Sequence, residues 1–414
     1  MCAWRNQAAL SCIIALLALV TLLPSTSSAD VTTFLDFNNF GTRLNEAASS
    51  AGVAAFNAGE VATIQAGIQT KLETAFSDYN VTFTTTSPGG LFETLTFGLT
   101  TGTPGLLGLA DQIDWRNQTK TDVGRIYTAN FAFSLEGGDA RAQQIAEITS
   151  ALAGTAAHEH GHNLGLMHRD PYGDPAVSYS GSPVATGGIQ NTHIMATGST
   201  GLTEAGRETD RTFSRMSQAK LDYADGLGTN PGSTNEQGGA HGTAGTAQHI
   251  TFVDLPSSGL EGRNVIGQIS SNGQTDFYSF DAGAGAVFSA NIMSGTIFGS
   301  AGVDTIIRLY DTDGTTILGQ NDDIRWNATT YGLTSGGTSE GLDSTLLNIL
   351  LASGGTYFLE VDGFGSDTGT YELLMAVTPV AAVPEPSTAA IFLLGGGAVA
   401  VVQRRRRKRL AAAA

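Results

Sequence analysis

Between His158 and His168 the chain reads His-Glu-His-Gly-His-Asn-Leu-Gly-Leu-Met-His, and four of its seven histidines fall in these eleven residues. Neutral imidazole is a standard zinc ligand, and a catalytic zinc takes three protein ligands and keeps a fourth position for water. His158 and His162 are four residues apart, so on a helix they share a face and can grip one ion. Glu159 is rotated by one residue and sits beside the metal, near the position of the water. Gly165 can adopt the left-handed conformation that ends helices, which turns the chain back and lets His168 reach the ion. His160 points to another face and is not assigned as a ligand. The chemistry expected is hydrolysis: zinc lowers the pKa of its water to roughly 7 and polarises a carbonyl, while Glu159 takes the proton and passes it to the leaving amine.

These residues need a helix to hold them, and the segment from Asp139 to Asn163 supplies one. Ile145, Ile148, Leu152 and Ala156 recur at helical spacing with alanine-rich filling between them. The pattern His-Glu-x-x-His-x-x-Gly-x-x-His resembles the signature of the metzincin metalloproteases, which also carry a methionine turn. Thr192-His193-Ile194-Met195-Ala196-Thr197-Gly198 provides a matching methionine 27 residues after His168. The resemblance implies that Met195 lies under the zinc as an apolar floor. Arg169, directly after the third histidine, fits no subfamily marker. Thr197 stands where some members place a zinc-binding tyrosine, which leaves oxyanion stabilisation mainly to the metal.

The resemblance implies an α+β catalytic domain, a mixed twisted sheet plus the active-site helix, over residues 30–226. Strands are expected at Val31–Phe37, Val81–Thr86, Leu95–Leu99 and Val123–Phe133, and helices at Glu60–Tyr79 and Ser214–Ala224. Arg169 to His193 reads as loop, with Tyr172, Tyr179 and Val184 as candidate pocket residues and Asp170 and Asp174 as solvated carboxylates. Residues 227–249, rich in Gly, Thr, Asn and Ala, read as a flexible linker in which His241 and His249 are incidental.

From 250 to 378 the pattern changes to short strands with turn signals, an all-β sandwich. Asp276-Phe277-Tyr278, Asn321-Asp322-Asp323, Asp343-Ser344 and Gly355-Thr356-Tyr357 resemble the bacterial pre-peptidase C-terminal (PPC) domain. Asp311, Asp313, Asn321, Asp322 and Asp323 offer oxygens of the kind Ca²⁺ takes, and they are equally the residues that turns favour; Asp170 and Asp174 could also bind calcium, against their reading as solvated loop carboxylates.

The two ends concern export. Residues 1–29 have a basic start at Arg5, an apolar run from Ala8 to Leu23 and small residues Ser27-Ser28-Ala29, the pattern of a secretory signal peptide. Both cysteines, Cys2 and Cys12, lie inside it, so disulfides and a cysteine-switch latency device are excluded from the processed chain. Residues 383–410 contain Val383-Pro384-Glu385-Pro386-Ser387, an apolar run and a basic cluster. They resemble the PEP-CTERM sorting signal of Gram-negative bacteria, which implies transient membrane insertion and processing by an exosortase-like sorting protease. The chain carries −17 overall. Without leader and tail, which hold seven basic residues and one acidic, it carries −23, a surface that repels nucleic acid.

The expectation is an exported zinc endopeptidase with a polypeptide substrate, on the outer surface, in extracellular matrix or secreted. Two rivals are weighed: a surface or matrix binding module whose zinc domain has lost turnover, and a zinc hydrolase of non-peptide amides. Intact Glu159 argues against the first, and the methionine turn against the second.

Overall fold

The computed structural model describes residues 31–103, 105–173, 192–197, 202–238, 241–322 and 343–379. It is a mixed α/β structure with several sheets and more strand than helix. The chain begins with β1 (Val31–Asp36), α1 (Phe40–Ser50) and α2 (Ala58–Ala75), followed by β2 (Val81–Thr84), β3 (Glu93–Thr96), β4 (Gly108–Ala110) and β5 (Val123–Ile126). These strands form one sheet in the order β2-β1-β3-β5-β4. The first four are mutually parallel, and β4 runs antiparallel to β5 at the edge. In β1 the residues alternate, with Val31, Thr33 and Leu35 buried, as a pleated strand over a core requires.

The helix α3 (Arg141–Asn163) crosses this sheet. Ile148, Leu152 and Ala156 are fully buried, and Ile145 is partly buried against the same core. α2 packs beside it. Asn57 starts α2 with a capping box, its side chain accepting from the N–H groups of Gly59 and Glu60 while Glu60 Oε2 accepts from Asn57 N at 2.8 Å. Gly67 of α2 leaves room for Thr149 of α3.

Two expectations for this half are corrected. The strand expected over Val123–Phe133 stops at Ile126, and Thr128–Ser134 is 3-10 helix instead. Ile126 of β5 and Phe131 of the 3-10 segment are both buried, so the burial was legible but the period was not. The helix α1 was not anticipated; its stripe Phe40, Leu44, Ala47 and Ala48 is buried, but small polar residues separate the anchors. After α3 come a short helix α4 (Glu204–Arg207) and α5 (Arg215–Leu221).

The second half holds two sheets face to face. Residues 227–249, read from composition as a flexible linker, contribute β6 (Thr234–Asn235) and β7 (Gln248–His249) to them. Next come β8 (Val253–Leu255), β9 (Leu260–Ile269), β10 (Thr275–Ala282), β11 (Val287–Met293), β12 (Thr305–Tyr310), β13 (Ile317–Asn321), β14 (Thr345–Leu350), β15 (Gly355–Gly363) and β16 (Gly369–Val377). One sheet runs β13-β12-β15-β10-β7. The other runs β14-β11-β16-β9-β6, with β8 against β9. Between them lies an apolar core that includes Phe280, Phe288, Ile307, Leu359 and Leu373.

The two halves share a third cluster: Trp115, Met167, Met216 and Tyr223 from the first, Leu255, Leu260, Met293, Leu374 and Ala376 from the second. β16 serves both sides. Tyr371, Leu373, Met375 and Val377 face the sandwich core, and the alternate residues Leu374 and Ala376 face the seam.

Candidate metal centre

α3 delivers His158 and His162 from one face, one turn apart. The chain then reverses within three residues. Gly165 has φ 92°, and a side chain there would meet the backbone of Trp115 at 2.7 Å, so both conformation and space require glycine. Gly165 N and Leu166 N donate back to the carbonyls of His162 and Gly161, closing the end of the helix. His168 therefore returns to the same point. The three Nε2 atoms lie 3.0, 3.0 and 3.2 Å apart.

That geometry fits a metal ion. Zn–N bonds of about 2.0–2.1 Å in a tetrahedral site place neighbouring nitrogens about 3.3 Å apart. His158 Nδ1 donates to the Ile194 carbonyl at 2.9 Å and His162 Nδ1 to the Leu166 carbonyl at 2.8 Å, leaving each Nε2 with its lone pair toward the centre. Three lone pairs converging without a cation would repel. Burial, together with the neighbouring imidazoles, drives the His158 pKa well below its usual value, and burial holds His168 at about 4. Burial thus favours the neutral form of His158 and His168, the state that metal ligation needs.

Glu159 faces the sheet edge. It is 7 % exposed, and burial pushes its carboxyl up to about 8, against the pull of the Ala110 backbone N–H and of Arg207. Glycines in the strands make room for it: a side chain at Gly108 would collide with the Glu159 carboxylate, and one at Gly124 would press on its Cβ at 3.2 Å. The sequence analysis missed Gly108, Ala110 and Gly124. A glycine inside a strand is the signal that could have pointed to them, because it often marks close approach of another group.

Met195 is fully buried, and its sulfur lies under Gly161 of α3, where an added Cβ would meet it at 2.7 Å. The turn that carries it is tied to the strand-like segment at Thr212, with Ile194 N donating to Thr212 O at 2.8 Å. Arg211 also reaches this turn. Its Nη1 donates to the Ile194 carbonyl at 2.9 Å, the same oxygen that orients His158. Nothing in the sequence singled out Arg211.

The strap from Leu164 to Asp170 is held on several sides. Asp114 N donates to the His162 carbonyl. Asp170, expected as a solvated carboxylate, is instead completely buried, pairing with Lys220 at 2.6 Å and accepting from Met167 N at 2.8 Å. Arg169 is also fully buried and leaves the first half altogether. Its Nε donates to Asn291 Oδ1 at 3.1 Å and its Nη2 to the Ile292 carbonyl at 2.6 Å, both on β11. His160 lies on the sheet side of α3, with Nδ1 3.1 Å from Glu93 and Nε2 3.3 Å from Thr33.

Three of the residues considered for calcium accept backbone hydrogen bonds. Asp313 accepts from Thr315 N and Thr316 N at 2.8 Å, Asp311 from Thr312 N at 2.7 Å, and Asn321 Oδ1 from Thr345 N at 2.7 Å. Asp322 precedes the boundary of the described segment, and Asp323, Asp174, Tyr179 and Val184 lie outside the described residues.

A PEP-CTERM protein-sorting motif matches residues 382–408. It marks the chain for export and surface sorting of the Gram-negative type, with processing by exosortase-like machinery. Among the described residues no helix is long and apolar enough to cross a membrane. Residues 1–29, expected as a leader, and the sorting motif lie outside those residues. No curated protein matches the chain. Among solved structures, the pre-peptidase C-terminal domain of a collagenase from Bacillus anthracis is similar at 17% identity, over 31% of this chain and 93% of that one, with a TM-score of 0.20. The g-type lysozyme inhibitor PliG of Aeromonas hydrophila is similar at 13% identity, over 32% and 95%, with a TM-score of 0.21. OgpA from Akkermansia muciniphila is similar at 10% identity over 84% of each chain, with a TM-score of 0.23. With TM-scores this low, none of the three fixes the fold or the chemistry of this chain.

Proposed function

We propose that the chain is an exported zinc-dependent endopeptidase of the metzincin type. The observation that carries this reading is the convergence of the His158, His162 and His168 Nε2 atoms to within 3.2 Å of one another; Glu159 is the next residue of the same helix, and the Met195 sulfur packs against Gly161. Bound there, zinc supplies a water of lowered pKa and a Lewis acid for the scissile carbonyl.

The chain's own residues do the rest. Burial holds the Glu159 carboxyl near 8; the positive charge of an ion on the three imidazoles would lower it and leave a carboxylate able to accept a proton from the attacking water and return it to the departing amine. β4 is the outer strand of the sheet and lies against Glu159. Its outer edge, which pairs with no further strand among the described residues, can add an extended peptide as one more strand, with the scissile bond carried past the carboxylate. On the sheet side Glu159 accepts from the Ala110 N–H and feels the charge of Arg207. The finer localisation that goes with this reading is the cell surface or the extracellular matrix after removal of the sorting tail.

The test is hydrolysis of casein and of a quenched peptide library by the purified chain. Activity should disappear with a chelator and return with zinc. Glu159→Gln should keep the metal and lose about 10²–10⁴ of kcat. Tight zinc binding without hydrolysis would instead identify a binding module, and hydrolysis restricted to small amides would sink the endopeptidase assignment.

A further inference from the structure

His241 lies in the segment whose composition suggests an idle linker, yet it is only 4 % exposed. It meets Glu236, just after β6, and Asp276 on β10, and the three offer ligand atoms all within 4.8 Å of one another. His241 Nε2 is 3.3 Å from Glu236 Oε1 and 3.7 Å from Asp276 Oδ1. Its other nitrogen, Nδ1, lies 3.3 Å from the Phe277 carbonyl, which can take a hydrogen from Nδ1 and so free Nε2 for an ion placed among the three side chains. The two zinc-facing histidines of α3 show the same arrangement: Nδ1 on a backbone carbonyl and Nε2 toward the centre.

The remaining oxygens are already fixed from outside. Glu236 Oε2 accepts from Gln268 N at 2.6 Å. Asp276 Oδ2 accepts from the Tyr371 hydroxyl at 2.7 Å, and Oδ1 from Gln274 Nε2 at 2.9 Å. Such outer partners orient carboxylate ligands. Charge argues the same way. Asp276 is 1 % exposed, and among the described residues the ion-pair partner of both carboxylates is His241 alone. Two carboxylates, one buried and one half-buried, against a single imidazole leave negative charge that a cation would offset.

We propose that Glu236, His241 and Asp276 hold a second divalent ion of the zinc class. One imidazole and two carboxylates are a zinc donor set, whereas Ca²⁺ takes roughly six to eight oxygens. The ion ties the edges of the two sandwich sheets together, because β6 ends one sheet and β10 lies in the other, beside the edge strand β7. It thereby fastens the segment that joins the two halves of the chain.

Zinc counting on the full chain tests this, with Glu159→Gln present throughout to prevent self-digestion. The parent should hold about two equivalents, His162→Ala and Glu236→Gln about one each, and the double variant none. Glu236→Gln is used because it preserves shape at the most exposed of the three positions. In the His162→Ala background zinc should slow cleavage by a broad-specificity protease between residues 237 and 247, and Glu236→Gln should abolish that protection. A parent that binds a single equivalent, lost in His162→Ala and kept in Glu236→Gln, overturns the proposal and makes the trio a buried imidazolium pair. A single equivalent lost only in Glu236→Gln keeps it and sinks the α3 centre instead. Protection by Ca²⁺ but not by zinc overturns the choice of metal.

Discussion

The Ile194 carbonyl shows how much of the centre depends on a residue that never touches the metal position. This oxygen accepts from His158 Nδ1 and from Arg211 Nη1, each at 2.9 Å. Arg211 is 7 % exposed, burial lowers its pKa to about 9, and its second contact is the His193 carbonyl at 3.3 Å. It therefore stiffens the methionine turn at the point where that turn aims His158. Arg211→Met should weaken zinc binding by about 10–100-fold, the usual effect of losing an outer-sphere partner, as read by competition against a coloured chelator. Arg211→Lys should recover part of it. Equal zinc affinity in all three proteins would show that the turn aims His158 without help.

At the scale of elements, the motif helix and its reversal were legible because spacing alone forces them. Four-residue separation puts His158 and His162 together, and a glycine three residues before His168 permits the return. The strap's anchoring was not legible, because Asp170 and Lys220 are 50 residues apart and each type is normally solvated. The same holds for α1, whose buried stripe is diluted by Asn and Ser, and for the 3-10 segment after β5, where β-rich composition outweighed the true period. Lys220→Met should leave Asp170 charged and unpaired in the interior and cost about 3–5 kcal/mol of stability. Adding Asp170→Asn should return much of that loss, although Met167 N keeps only a weaker acceptor. Urea midpoints of the two variants measure the difference, and a Lys220→Met protein as stable as the parent would refute the pair's role.

For the molecule as a whole, the sandwich is built into the first half rather than hung from it. Glu372 of β16 accepts from Trp115 Nε1 and from Arg116 Nη2, both at 2.7 Å, and from Asn264 Nδ2 at 2.6 Å. Arg169, next to His168, is bonded to β11. The apolar seam explains why β16 reads Leu373-Leu374-Met375-Ala376-Val377 without alternation: both of its faces are covered. The seam also contains a titratable group. Asp222, 1 % exposed, accepts from Ser257 Oγ at 2.6 Å and from Ser257 N at 3.2 Å across the joint. Burial raises its pKa to about 6, more than those hydrogen bonds lower it. Because the folded value lies above the unfolded one of about 3.9, the folded state binds the proton more tightly. The stability this group adds is complete below pH about 4 and is lost as pH rises through about 6. Asp222→Asn cannot titrate. Subtracting its urea stability curve from the parent's between pH 4 and 7 should therefore leave a difference that falls with rising pH and levels off above about 7. A flat difference, or one that rises, would mean that the Asp222 carboxyl is ionised in the seam with no penalty and that the joint does not feel its charge.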